Sequence, residues 1–148
     1  MQIKRPAVSF EGLRFAHPDG RYRFPEELHP DPPAPDGYPL RLLSLIRSEA
    51  THSQILPEDH IHPPKVYLAT DSPLWAKLKS SQPVFMVSPL GRLEVQLVEL
   101  LGVHPDVAVY RRGDWLKLGG GANQLIADVV TDQGSGAAYY AQHVRLEN

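Results

Sequence analysis

Proline and glycine constrain this chain more than any other feature. Fifteen prolines and eleven glycines are spread over 148 residues. Proline removes a backbone donor and fixes φ, while glycine opens turns, so the density favours short strands and loops over a helical bundle. Six prolines fall within residues 25–39 alone. That stretch reads as an extended linker, and it sets a peripheral N-terminal segment, residues 1–36, apart from a main domain, residues 37–148. Within the first segment, His17-Pro18-Asp19-Gly20 is a turn signal between apolar runs, which predicts a β-hairpin over residues 10–24.

The main domain reads as a series of strands. Residues 38–46 are nearly continuous in apolar character and are expected to form a first strand buried on both faces. A long polar loop follows over residues 47–64, a length that is usually functional in a compact domain. Residues 66–69 form a second strand, and Asp71 or Ser72 then caps a short helix with Pro73 in its first turn and Leu74, Trp75 and Leu78 on one face. Residues 84–87 and 92–98 make the clearest hairpin. Its second arm alternates Leu93, Val95 and Leu97 with Arg92, Glu94 and Gln96, so one face is solvated. Another strand spans 107–110, a helical turn is expected within 124–130, and a last strand covers 142–147. This succession fits a closed barrel.

Composition narrows the function. With no cysteine, the chain offers no disulfide, thiolate metal site, iron–sulfur ligand or cysteine nucleophile. The net charge of -2 gives no basic field for nucleic acid or anionic membrane. No apolar run reaches the ~20 residues of a spanning helix, and no secretory signal opens the sequence. These features fit a cytoplasmic protein, with a periplasmic one left open. His52, Asp59, His60, His62 and His104 do not complete a zinc-ligand spacing. Nucleotide-loop fingerprints and the serine-nucleophile elbow are both absent.

The densest run of interest is C-terminal. Gly119-Gly120-Gly121 precedes Asn123 and Gln124; then come Asp128, Gly134-Ser135-Gly136, Tyr139-Tyr140 and the alternating His143-Val144-Arg145-Leu146-Glu147. Three glycines let a backbone approach a ligand closely. An amide offers donor and acceptor in one plane, as reading the edge of a heterocycle requires. Asn123 is equally a residue that tolerates turns. Arg47 with His52-Ser53, and Arg111-Arg112, could fork onto phosphate oxygens or simply be solvated. Trp115 reads as a cap on the barrel.

In order, these motifs resemble the C-terminal pterin-dinucleotide-binding domain of the molybdenum/tungsten oxidoreductases, the superfamily of formate dehydrogenases, nitrate reductases and dimethyl sulfoxide reductase. The matching runs are Pro39-Leu40-Arg41-Leu42-Leu43-Ser44-Leu45-Ile46-Arg47 with His52-Ser53, then Ser88-Pro89-Leu90-Gly91 and Gly102-Val103-His104-Pro105. Asn123, Asp128, Ser135-Gly136, Tyr140 and Val144-Arg145-Leu146-Glu147 complete the series. Leu45-Ile46 stand where the family has Thr-Gly, and Ala69-Thr70 where it has Asn-Pro. The resemblance implies a mainly β fold, a six-stranded double-psi β-barrel with short helices and an N-terminal hairpin extension. It implies a domain that binds molybdopterin guanine dinucleotide, with molybdenum or tungsten held through the cofactor. The implied cofactor-binding residues are Arg47, His52, Ser53, Arg111, Gly121, Asn123, Gln124 and Tyr140, with the other tyrosine of the pair packing in the barrel.

On that reading the chain supplies no catalytic group or metal ligand and turns nothing over alone. Its partners are the remaining domains or subunits of an oxidoreductase, and it has no nucleic-acid or membrane role. Two alternatives stay open. One is an aspartate-decarboxylase-like barrel enzyme that self-cleaves at Gly134-Ser135; the other is a double-psi barrel used as a protein-binding module. The cofactor reading requires residues 119–123 and Tyr139-Tyr140 to share one barrel rim with residues 47–53, although they come from opposite ends of the chain.

Overall fold

The computed structural model describes residues 10–24, 26–27, 33–79, 81–131 and 136–148. They fall into two compact units, residues 1–31 and 32–148. In the first, Phe15 N–H donates to Gly20 O at 2.9 Å and Gly20 N–H to His17 O at 2.8 Å, so the Pro-Asp turn closes as expected. The flanks do not form the expected hairpin ladder: the described residues of this unit hold one 3-10 turn, Glu11–Leu13, and no strand. Ring contacts hold it instead, with Phe10–Phe15, Phe15–Tyr22 and Tyr22–Phe24 centroids 5.0, 5.1 and 4.8 Å apart. The linker expected over 25–39 lies partly outside the described residues.

The second unit is a closed six-stranded barrel. Its strands are β1 (Leu40–Leu45), β2 (Lys65–Ala69), β3 (Val84–Val87), β4 (Arg92–Leu100), β5 (Val107–Arg111) and β6 (His143–Glu147). Around the barrel they run β1-β5-β2-β4-β3-β6. β1 is parallel to β5 and β2 to β4, and the other four pairs are antiparallel. Exchanging β1–β3 for β4–β6 in order reproduces the same ring. Each half places one strand between the first two strands of the other, the interlocked arrangement of a double-psi barrel.

Period-two burial explains which residues make these strands. β1 reads buried at Leu40, Leu42 and Ser44, with Arg41 exposed and Leu43 and Leu45 half-buried. The expectation of burial on both faces is therefore corrected, because a strand in a closed barrel turns only one face to the core. The interior is filled by Leu40, Leu42, Val66, Leu68, Met86, Leu93, Val95, Tyr110, Val144 and their neighbours. Ser72 caps the 3-10 turn Pro73–Ala76, accepting from Leu74 N–H at 3.4 Å. Leu74, Trp75 and Leu78 from this region pack against the core.

The helical turn expected within 124–130 forms earlier and shorter, at Ala122–Gln124. Ala122 and Leu125 are the residues of this segment that reach the core, so the turn is centred on them. Val130 instead bridges to Ala137.

Candidate cofactor-binding rim

Strand direction decides which loops meet. Because β1 and β5 are parallel, with Leu45 opposite Arg111, the segments after them leave from the same end of the barrel. β2 is antiparallel to β5, so the loop entering β2 arrives at that end too. Residues 46–64 and 112–125 thus form one rim. The approach to β6 runs back along β1, where Leu42 N–H donates to Gln142 O at 2.9 Å and Arg41 Nε to Tyr140 O at 2.9 Å. This carries Tyr139 and Tyr140 toward the same end.

Asp114 is the centre of this rim. Its Oδ1 accepts from Arg47 at 2.5 Å and its Oδ2 from the Tyr110 hydroxyl at 2.5 Å. The carboxylate is 2% exposed and the Arg47 side chain 14%. The pairing reflects necessity: a buried carboxylate without a partner costs several kcal/mol. Tyr110, the last inward residue of β5, also accepts from Gly121 N–H at 3.2 Å. Burial first, then the bond to Asp114, pushes the Tyr110 hydroxyl well above its ordinary pKa of 10.0. Arg47 further donates to Asp59 O at 3.3 Å. One carboxylate therefore links the β1 exit, the β2 entry loop and the glycine turn.

His60 completes the cluster. Its Nδ1 stands 3.2 Å from Asp114 Oδ1, and the ring is 1% exposed. Neither ring nitrogen makes an aligned hydrogen bond. The rings of His62 and Trp115 lie 6.1 and 5.7 Å away. Among the described residues no three histidine, aspartate or glutamate side chains gather to hold a metal.

Glycine is required at this rim by close approach. A Cβ on Gly120 would stand 2.7 Å from Asp114 Cβ, and Gly121 holds φ at +117° beside Leu116. Gly113, at φ +120°, is pressed against Ile55 and has His52 Cδ2 3.6 Å from its Cβ direction. The Ser88–Gly91 hairpin also reaches this end, since a Cβ on Gly91 would meet the Gln124 carbonyl.

The expected site residues divide into two groups. Arg47 lies at the centre, with its guanidinium engaged internally. Gly121 and Gln124 build the glycine turn, Gln124 Nε2 donating to Gly120 O at 3.1 Å. His52, Arg111, Asn123 and Tyr140 are exposed. Arg111 donates to Ile46 O at 3.0 Å, and the Asn123 amide makes no hydrogen bond to a described residue. His52 and Ser53 belong to the 3-10 turn His52–Gln54, and the Ser53 side chain lies outside what is described. Gly134 and Ser135 lie outside the described residues.

The tyrosine expectation is corrected. Neither Tyr139 nor Tyr140 packs in the barrel, being 45% and 43% exposed. The chain turns here, with Ala141 N–H donating to Ala138 O at 3.5 Å, and both rings stay outside. Arg112 lies over the Tyr139 ring at 4.8 Å, its buried Nε without a hydrogen bond.

Hollows open along this end, one of them, about 240 Å³, lined by Arg47, Ser48, Glu49, Tyr67, Leu100 and Arg111. A second, about 100 Å³, is lined by Arg47, Glu49, Ile61, Lys65, Tyr67, Arg111 and Asp114, among others. A third, about 210 Å³, includes Asn123, Asp128, Val129, Ala138 and Tyr139. His52 stands beside Gly113, Arg112 lies over Tyr139, and Tyr139 shares a hollow with Asn123.

Sequence reasoning missed Asp114, Tyr110, His60 and Lys65. Alternation along β5 puts Ala108 and Tyr110 inward, and a buried tyrosine hydroxyl requires a partner, which Asp114 is close enough in sequence to supply. No comparable signal distinguishes His60 from its neighbours.

No family model matches the chain, and no curated protein matches it in sequence. Among solved structures, acetylene hydratase from Pelobacter acetylenicus is similar, with a TM-score of 0.56 and 18% sequence identity over 93% of this chain. This chain spans 22% of the hydratase's length. At that identity the likeness concerns the fold, which recurs there as a segment of a longer enzyme. No helix among the described residues is long and apolar enough to cross a membrane.

Proposed function

We propose that this barrel binds the dinucleotide end of a pterin cofactor at the Asp114 rim, as one domain of a molybdenum- or tungsten-dependent oxidoreductase. The carrying observation is the convergence of three sequence-distant loops, at 47–64, 111–124 and 136–140, on one end of a double-psi barrel. The order of motifs in the sequence and the fold shared with a segment of a much longer enzyme support the same reading.

The residues present fit such a group. The exposed Asn123 amide, which makes no hydrogen bond to a described residue, can pair with the edge of a heterocycle. Tyr139 and Tyr140 offer ring faces beside it. Arg111 and Lys65 supply positive charge at the smallest hollow, where Arg47 pairs with Asp114 and Glu49 adds one further carboxylate. Gly121, held by Tyr110, keeps the turn in a fixed shape, so little ordering is left for binding. Redox chemistry would come from the metal-bearing pterin and from other domains. This chain's part is to hold and orient, and it is expected to be inactive alone.

Calorimetric titration with guanosine diphosphate tests the reading. Weak binding is expected that weakens further with salt, because exposed charges are screened beyond ~8–10 Å. Arg111→Ala and Asn123→Ala should each reduce affinity by about tenfold. Absent binding, or binding indifferent to both substitutions and to salt, contradicts the proposal.

A further inference from the structure

A second surface, sharing no lining residue with the hollows at that rim, has chemistry of its own. β4 runs from Arg92 to Leu100, yet β3 covers only its first part, ending where Val84 pairs with Val95. Continued two residues further, that ladder would set Gln82 opposite Leu97. The chain turns away instead. Gln82 N–H donates to Lys79 O at 3.1 Å. Asn148 beyond β6 secures the turn, accepting from Lys79 N–H at 2.8 Å and donating to Lys79 O and Pro83 O at 3.1 and 3.4 Å.

The edge left behind has no partner among the described residues. Gln96 N–H donates to Pro64 O at 2.9 Å, so Gln96 directs its backbone groups toward β2. Backbone direction alternates along a strand, so Leu97 and Glu99 direct theirs to the side that β3 has vacated. No described residue pairs with them there.

That edge borders a groove of about 590 Å³ whose walls include Trp75, Leu78, Pro83, Val95 and Leu97. Trp75, Leu78 and Leu97 are only partly buried. Among the described residues lining it, Glu94 alone is charged.

We propose that this groove docks an extended segment of a partner polypeptide, which adds as a strand beside Leu97 and Glu99. Free N–H and C=O groups at strand spacing are matched by another polypeptide backbone in extended form. The apolar walls call for alternate apolar side chains, and Glu94 calls for a basic residue at the near end. Pro83 at one end and the end of β4 at Leu100 limit the open edge to a few residues, which suits one short segment and discourages sheet-to-sheet aggregation. The proposal is independent of the cofactor reading.

The probe is an acetylated hexapeptide amide alternating valine and threonine behind an N-terminal lysine, added to the full chain. Binding should slow amide hydrogen exchange at Leu97 and Glu99 by about tenfold and leave Gly121 unchanged. Peptides N-methylated at alternate residues should differ: one phase weakens binding by about tenfold, and the other spares it, because only one set of N–H groups faces β4. Glu94→Lys, on an exposed face, should reverse the preference toward a peptide with glutamate in place of lysine. Absent binding, equal binding of both N-methylated peptides, or no response to Glu94→Lys would overturn the proposal. So would protection of Leu97 that grows with protein concentration without peptide, which would assign the edge to a second copy of this chain.

Discussion

Asp114 meets a guanidinium, a phenol and an imidazole within a few ångströms, and packs against Gly120 as well. Removing one partner should therefore be felt at the others. Tyr110→Phe deletes a hydroxyl that donates to the carboxylate and accepts from Gly121 N–H, and should cost about 1–3 kcal/mol in urea denaturation. It should also change the alkaline limb of the stability curve. The folded-state pKa of Tyr110 is raised, so its contribution is fully present below 10.0 and is lost as pH rises above it, when the unfolded chain ionises first. Stability should fall by up to about 1.4 kcal/mol per pH unit more steeply in the wild type than in Tyr110→Phe. Equal slopes would mean that the hydroxyl is not held as described. Arg47 is a less direct probe of ligand binding, since Arg47→Ala leaves a buried carboxylate uncompensated. Arg111 is the cleaner choice.

The strands were the most legible elements. Period-two alternation in residues 92–98 marked the core face of β4 directly, because Leu93 and Val95 meet the interior and Arg92, Glu94 and Gln96 meet water. The first strand misled, because Leu43 and Leu45 are apolar on the outward face, where alternation carries no signal. The 10–24 segment failed for another reason: a correct turn does not guarantee a ladder when aromatic contacts hold its flanks. Glycines were legible as close approaches, but their partners were not. Gly91 closes the β3–β4 hairpin directly against the Gln124 carbonyl, a contact between segments far apart in sequence. Gly91→Ala should lower stability by about 1–3 kcal/mol, because backbone, not a flexible side chain, must move. A melting temperature equal to that of the wild type would show that the hairpin and glycine turn do not touch.

At the scale of the whole molecule, the barrel order brings residues 47–64 and 112–125 to one end, and local sequence contains nothing that requires it. Parallel pairing of β1 with β5 does so, and family-like motif order was the only sequence signal of that pairing. The Asp114 network was not legible because it depends on this long-range register. The structure also gives the protein-binding alternative a place of its own, since an apolar groove beside β4 accompanies the glycine-bearing rim. The two proposals need not compete, because the groove shares no lining residue with the hollows at the rim. The most direct test of the central claim is amide chemical-shift mapping on the 148-residue chain titrated with guanosine diphosphate at low and high salt. The account predicts shifts confined to Arg111, Gly113, Gly119–Gln124 and the amides around His52 and Tyr140, collapsing as salt rises. Shifts centred on the β4 groove, or none at the Asp114 rim at any salt, would contradict it.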